Sequence, residues 1–391
     1  MKPTDPMTPS PLDTARKLAP LIRANADTID AGRELPRPLF EALADAGLYQ
    51  MLLPRSLGGL ELELPDYVPV MEELGKADAS TAWTINQGGV FAAFGSPRLS
   101  PEISRDIWVG TPRSVVCNTP MPSTRAVVVP GGFRVTGRMG FSTGCRHASW
   151  MAAYSQIFEN DQPRLDQDGK PESRYLMVPI AEAEVIDTWD VNGMRGTGTN
   201  HVEVKNVFVA EERTYMRNDL PREKGPLYQI LPTLLYGVGD TAVALGTARV
   251  CLETFCELAG AKTPRAMQAL LRDQSMIQFN VGQCEAAIRS GRALLVEAVG
   301  NLWSEVNATG TTSQDRRAEL RLAITHGIRL ASQAVDIIYN AAGASAVLKS
   351  NLIQRHFQDM HVITQHIQAR HSNYEMVGRH WLGLPVSPLE L

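Results

Sequence analysis

Long apolar runs are missing from this chain of 391 residues. The most apolar stretch, LLYGVGDTAVALGTARV (234–250), is broken by glycines and by Asp240 before it reaches the roughly 20 residues that a bilayer crossing requires. No membrane span is expected. Basic excess is missing too: 38 Lys and Arg stand against 42 Asp and Glu, a net charge of -4, with no stripe of the kind that a phosphate backbone demands. Nucleic acid is therefore not an expected partner. Cysteine is scarce. The five, at 117, 145, 251, 256 and 284, are odd in number and form no CxxC pair, which points to reduced thiols in a cytoplasm and to small buried hydrophobes. The opening MKPTDPMTPSPLDTARKLAP lacks an apolar h-region, so it reads as a short disordered lead rather than a signal peptide.

What is there suits two or three packed units: 44% hydrophobic and 20% charged residues over a length able to bury a large core. Helical spacing dominates residues 1–112. PLFEALADAG, opened by proline and stopped by Gly47, and PDYVPVMEELGKAD are punctuated helices. Over 113–225 the period changes to two. RAVVVPGGFRVTG reads as two strands around a Pro-Gly-Gly turn, SWMAAYSQI, RYLMVPI and HVEVKNVFV as further strands, and ENDQPRLDQDGKPES as a mobile surface loop between them. A compact β-domain is expected there. Helical period returns over 226–391 in four long segments, enough for a bundle, so the fold class is α+β.

Three features could carry chemistry. GVGDTA at 237 imitates a dinucleotide fingerprint but follows LPTLLY rather than a strand, and reads as small residues for close helix packing. DMHVITQHIQARHSN (359–373) holds His361, His366 and His371 of only eight histidines, with His356 and His380 on either side. On a helix, steps of five turn about 140°, so the three imidazoles point apart and no metal site is expected. The remaining readings are a catalytic imidazole or helix decoration. CNTPMPS, GFSTGC and GMRGTGTN cluster hydroxyls, glycines and amides that can meet a flat polar heterocycle, with Arg195 as a fixed cation.

The order of these pieces, with LPRPLFEALADAGLYQMLLPRSLGG, MEELGKADASTAW, FSTGCRHASW, DTWDVNGMRGTGTNHVEVKNVFVAEERT and YNAAGASA, resembles the acyl-CoA dehydrogenase superfamily over essentially the whole chain. The resemblance implies an N-terminal helical domain (1–112), a middle β-barrel domain contacting a flavin (113–225) and a C-terminal four-helix bundle (226–391) that carries a homotetramer. Dehydrogenases of this kind place a glutamate base in a Glu-Gly-Thr turn after an Arg-Asp pair that reads Gln358-Asp359 here. The corresponding position is Ile367. Where relatives move the base to the first bundle helix, Tyr236 stands, with Asp240 nearby.

QHIQARHSNYEMVGRHWLG resembles instead the flavin-dependent monooxygenase branch, the oxygenase components that hydroxylate phenols or oxidise sulfur or nitrogen. That resemblance implies FMN or FAD, reduced by a separate reductase, a C4a-hydroperoxide, and an apolar, aromatic small molecule as substrate. Carried over as catalytic are His366, which can donate or accept a proton, and Ser142, at the N5 edge of the flavin. Thr119, Phe141, Thr143 and Cys117 are expected as ring neighbours, and Arg265 and Gln274 as contacts to adenosine. Gly343, in YNAAGASA, joins them as a cofactor contact. Asn86 and Gln87 stand where several monooxygenases have a histidine. The alternatives are an acyl-CoA dehydrogenase or related oxidase acting on a CH-CH bond, and a flavin-free binding protein.

Overall fold

The computed structural model describes residues 9–387. Six helices open the chain: α1 (Pro11–Ala24), α2 (Ala26–Gly32), α3 (Arg37–Asp45), α4 (Leu64–Ala77), α5 (Ala79–Gly95) and α6 (Pro101–Trp108). The disordered lead was expected to extend to residue 20. Residues 1–8 of it lie outside the described residues, and the rest is corrected by α1: Ser10 accepts from the amide of Asp13 and Pro11 occupies the first turn, where it lacks only an amide that would go unused. Helix α5 is buried on nearly every side and passes through the centre of this unit.

Nine strands follow: β1 (Val116–Asn118), β2 (Thr124–Val129), β3 (Gly132–Ser142), β4 (Trp150–Glu159), β5 (Gln162–Pro163), β6 (Ser173–Pro179), β7 (Glu184–Ile186), β8 (Asn200–Ala210) and β9 (Thr214–Met216). They form one sheet of order β7-β8-β3-β2-β4-β6-β9, with β1 and β5 pairing β4. β7 and β9 end the path unpaired with each other, so the expected barrel is an open sheet. Its two faces bury different cores. Val135, Met139, Ile157, Leu176 and Val202 pack on one side, while Trp150, Tyr154, Tyr175 and Tyr215 pack on the other against Phe91, Phe94 and Trp108 of the first unit.

The C-terminal unit has three long helices, α7 (Pro232–Ala261), α8 (Ser275–Thr309) and α9 (Gln314–Ala342), then two short ones, α10 (Leu352–Ile363) and α11 (Ser372–Trp381). The fourth long helix expected through the histidines is broken. Among the described residues no helix is long and apolar enough to cross a membrane. All five cysteines are unbridged, four buried and Cys256 exposed.

Candidate active site

The break after α10 determines where the histidines go. His366 is extended (φ -70, ψ 152), and Ile367–Ala369 make one tight turn before α11. Backbone groups freed by such a break must find partners elsewhere, and Gln368, buried, organises them. Its Nε2 donates to the carbonyl of Thr233 (2.7 Å), its Oε1 accepts from Arg321, and its carbonyl accepts from Thr325 Oγ1 (2.7 Å) and Asn373 Nδ2 (3.1 Å). Arg329 Nε donates to the carbonyl of Ala369 at 2.9 Å. The five histidines then take separate environments. Burial drives His356 down to about 4 and keeps it neutral. His361 pairs with Asp336 (2.9 Å), His380 pairs with Asp315 (2.7 Å), and His371 is exposed. His366, one-third exposed, is the one of the five that reaches the buried carboxylate of α7. Among the described residues no group of three or more His, Cys, Asp or Glu could hold a metal.

His366 meets a carboxylate. Its Nδ1 lies 3.1 Å from Asp240 Oδ2, within ion-pair distance though off the line of an aligned hydrogen bond. Asp240 is fully buried on α7, and its other oxygen accepts from Asn86 Nδ2 (2.8 Å) and Gln87 Nε2 (3.2 Å) of α5. Asn86 is held in turn by the Tyr67 hydroxyl (2.9 Å), and it also donates to the carbonyl of Tyr236 (3.1 Å). A buried carboxylate needs such donors. A carboxylate only accepts, so an imidazole carrying its proton on Nδ1 would turn that proton toward Asp240 and keep Nε2 as an acceptor. Trp83 presents its ring edge-on to the imidazole at 5.1 Å. GVGD serves packing: a Cβ on Gly239 would come 2.0 Å from Asn86 Oδ1, and one on Gly237 2.6 Å from Ile324.

A second cluster lies at the end of β3. The register of β3 on β8 shifts between Met139 and Ser142, and Phe141 takes φ 56, a left-handed conformation costly for a non-glycine residue. The bulge leaves the Phe141 ring 65% exposed, edge-on to Trp189 at 6.4 Å. Ser142 is buried and its Oγ has no partner. Thr143 Oγ1 joins Thr199 (3.0 Å), which joins Thr197 (2.7 Å), and Thr119 Oγ1 donates to the carbonyl of Gly140 (3.2 Å). An unsatisfied hydroxyl, a hydroxyl chain and two projecting aromatic rings suit a flat heteroaromatic cofactor. Cys117 points elsewhere: its thiol packs in the sheet core 3.3 Å from Met151 Sδ, and burial pushes its pKa well up.

The two clusters are tied together. Asn118 Nδ2 reaches the Tyr236 hydroxyl (3.4 Å), joining β1 to α7, and Asp359 of α10 accepts from the amide of Met194 (2.5 Å), joining α10 to the 189–199 loop. Burial raises the Asp359 carboxyl to about 7; the Met194 amide and Arg355 oppose this, while Asp78 and Asp30 add to it. The folded state therefore holds a proton here that the unfolded chain releases near pH 4, so this group withdraws stability as pH climbs from about 4 to 7. Asp359→Asn keeps the acceptor without the buried charge. Its stability relative to the parent is expected to improve between pH 4 and 8, by about 4 kcal/mol at most; parallel melting curves at both pH values would contradict this.

The remaining expected contacts lie apart. Arg195 donates to the carbonyls of Asp30 (3.0 Å) and Val191 (2.8 Å), bracing α2. Arg265 is exposed in the loop after α7, Gln274 bonds Met267 Sδ (3.1 Å), and Gly343 caps α9 at φ 60. Lys262, donating to the carbonyl of Ala342 (2.7 Å), brings these three to one end of the bundle.

Comparison with known proteins accords with this arrangement. Residues 12–103 match the acyl-CoA dehydrogenase N-terminal domain and residues 238–371 the acyl-CoA dehydrogenase C-terminal domain. The chain belongs to the acyl-CoA dehydrogenase superfamily. Within it, the indole-3-acetate monooxygenase of Pseudomonas putida is 28% identical over 92% of this chain and 90% of its own. The oxygenase component of p-hydroxyphenylacetate 3-hydroxylase from Acinetobacter baumannii is 25% identical over 97% and 90%. XiaF from Streptomyces sp., solved with FADH2 and glycerol, superposes with a TM-score of 0.88 at 22% identity, over 97% of this chain and 96% of its own. The relatives are thus flavin-dependent monooxygenases built on the dehydrogenase fold. In this member of the superfamily, Ile367 is half-exposed where the dehydrogenase glutamate would stand, and the carboxylate on the first bundle helix is enclosed by α5 and His366. Motif reading passed over Asp240, Asn86, Gln87 and Gln368 as site residues. One signal was available: Asp240 is the lone charge between Lys224 and Arg249.

Proposed function

We propose that this chain is the oxygenase component of a two-component monooxygenase: it takes reduced flavin from a separate reductase and hydroxylates an apolar, aromatic small molecule. The observation that carries the reading is the pairing of His366 with Asp240. It engages the carboxylate that α7 carries into the site and offers an imidazole there instead of a free base. When bound, the reduced flavin supplies the activation of oxygen. The residues of the chain supply the rest. His366 Nε2 holds or moves a proton at the reacting atom, Trp83 and the buried helix α5 exclude water, and Ser142 offers its unpaired hydroxyl to the flavin edge beside Phe141, Thr143 and Thr119.

A homotetramer built on the bundle belongs to the same reading, supported by the apolar exposure there: Met276 and Phe279 on α8 and Leu348 before α10 are each more than 60% exposed. Arg265, Gln274 and Gly343 would then serve a neighbouring copy's flavin, with the adenosine half of FAD as the finer choice over FMN. Ser142→Ala is expected to keep the fold and to release hydrogen peroxide at the expense of product, lowering product per NADH several-fold in an assay coupled to a reductase. Unchanged coupling would remove Ser142 from the site. Dye reduction by an acyl-CoA, with no oxygenation of any aromatic compound, would favour the dehydrogenase reading.

A further inference from the structure

We infer that Gln368 is a positioning residue for His366: clamped between a stripe of α7 and a stripe of α9, it sets where the imidazole meets Asp240. Its effect on turnover rests on the oxygenase reading, while its hold on the ring does not.

Both helices present their contacts at helical spacing. On α7, Thr233, Gly237 and Asp240 follow one another at steps of four and three, so they share a face. Gln368 covers the first two and His366 meets the third. The Gln368 Nε2 donates to the Thr233 carbonyl (2.7 Å), its Oε1 lies 3.0 Å from where a Cβ on Gly237 would stand, and the imidazole Nδ1 is 3.1 Å from Asp240. On α9, Arg321, Thr325 and Arg329 recur every four residues, and all three are donors. They meet, in the same order, the side-chain oxygen of Gln368, its carbonyl and the carbonyl of Ala369.

A broken helix needs partners for its carbonyls, and those of Ile367, Gln368 and Ala369 take them from Asn373, Thr325 and Arg329. Any donors would serve that need. Nothing in it requires the Gln368 side chain to reach α7, yet a buried carboxamide spans the two helices with both of its ends engaged. His366 is two residues away, and its carbonyl accepts from the amide of Ala369 (3.0 Å), so the turn and the imidazole move together. A slip of the turn by one helix residue, about 1.5 Å, would carry Nδ1 out of ion-pair reach of Asp240.

Gln368→Glu is the selective variant, because it keeps an oxygen for Arg321 and loses the amide that donates to Thr233. Thr325→Val removes the second hold at nearly constant shape, and Thr325→Ser returns the hydroxyl. The first readout is the ring itself, in full-length protein without flavin, by 13C-labelled histidine spectra in which His366 is assigned by its loss in His366→Ala. Its signal is expected to move, in Gln368→Glu and Thr325→Val, toward the place it takes in Asp240→Asn, and to return in Thr325→Ser, while the His361 and His380 signals hold. The second readout is coupling. Product per NADH is expected to fall about tenfold in Gln368→Glu with flavin affinity unchanged, and by less than about twofold when the same change is added to His366→Ala, since a residue that acts through the imidazole then has nothing to act on. A His366 signal that keeps its parental place in both variants overturns the inference, as does a full tenfold loss on top of His366→Ala. Should the signal move as expected while the parent oxygenates no aromatic compound, the placement stands and the oxygenase reading falls.

Discussion

His366→Ala is expected to fold normally and to lose product formation by about 100-fold or more, while reduced flavin continues to be consumed and hydrogen peroxide appears in place of product. The magnitude is that of a positioned acid-base group. Folding should survive because the imidazole is one-third exposed and its removal leaves Asp240 with the amides of Asn86 and Gln87. Product and peroxide, counted per NADH in a reductase-coupled assay, check the prediction. An alanine variant that oxygenates with unchanged yield would show that the imidazole beside Asp240 does no chemistry.

The largest structural effect is expected from Gly193→Ala. A Cβ there would lie 2.2 Å from the carbonyl carbon and oxygen of Gln358 and 2.6 Å from the amide of Asp359, all backbone atoms that cannot rotate away. The neighbouring Met194 already holds φ 53 to bring its amide to Asp359. Forcing the 189–199 loop off α10 should cost about 3 kcal/mol and should also loosen Trp189, Thr197 and Thr199, so flavin affinity falls with melting temperature. Gly300→Ala is the control. It has nothing within 4 Å of an added Cβ on α8 and should be neutral or slightly stabilising. Equal melting temperatures for the two variants would contradict the packing argument.

Local pattern made most of the architecture legible. Period-two runs became β2, β3, β4, β6 and β8, and the apolar helical periods became α7, α8 and α9, because each of those elements buries a continuous face. Closure of a sheet is not a local property, so the expected barrel opened. The break at His366 was equally illegible: no glycine or proline marks it, and it depends on hydrogen bonds that Gln368 accepts from Arg321 and Thr325 and donates to Thr233, far away in sequence. For the same reason the histidine spacing, read on an unbroken helix, did not reveal which imidazole meets Asp240. Asn86 and Asp240 are 154 residues apart and meet only because Gly239 lets α5 approach α7. Ser142 and Phe141 could be picked out by motif, but the bulge and the left-handed backbone that separate the two side chains could not.

The most direct test is the fate of isotopic oxygen. Purified protein, reduced flavin supplied by a reductase and a panel of aromatic compounds are incubated under 18O2, and the products are weighed by mass spectrometry. One 18O atom per product molecule, lost in His366→Ala, is the predicted result. Oxidised products that carry no label, or electrons passed from an acyl-CoA to a dye by a variant lacking His366, would contradict it.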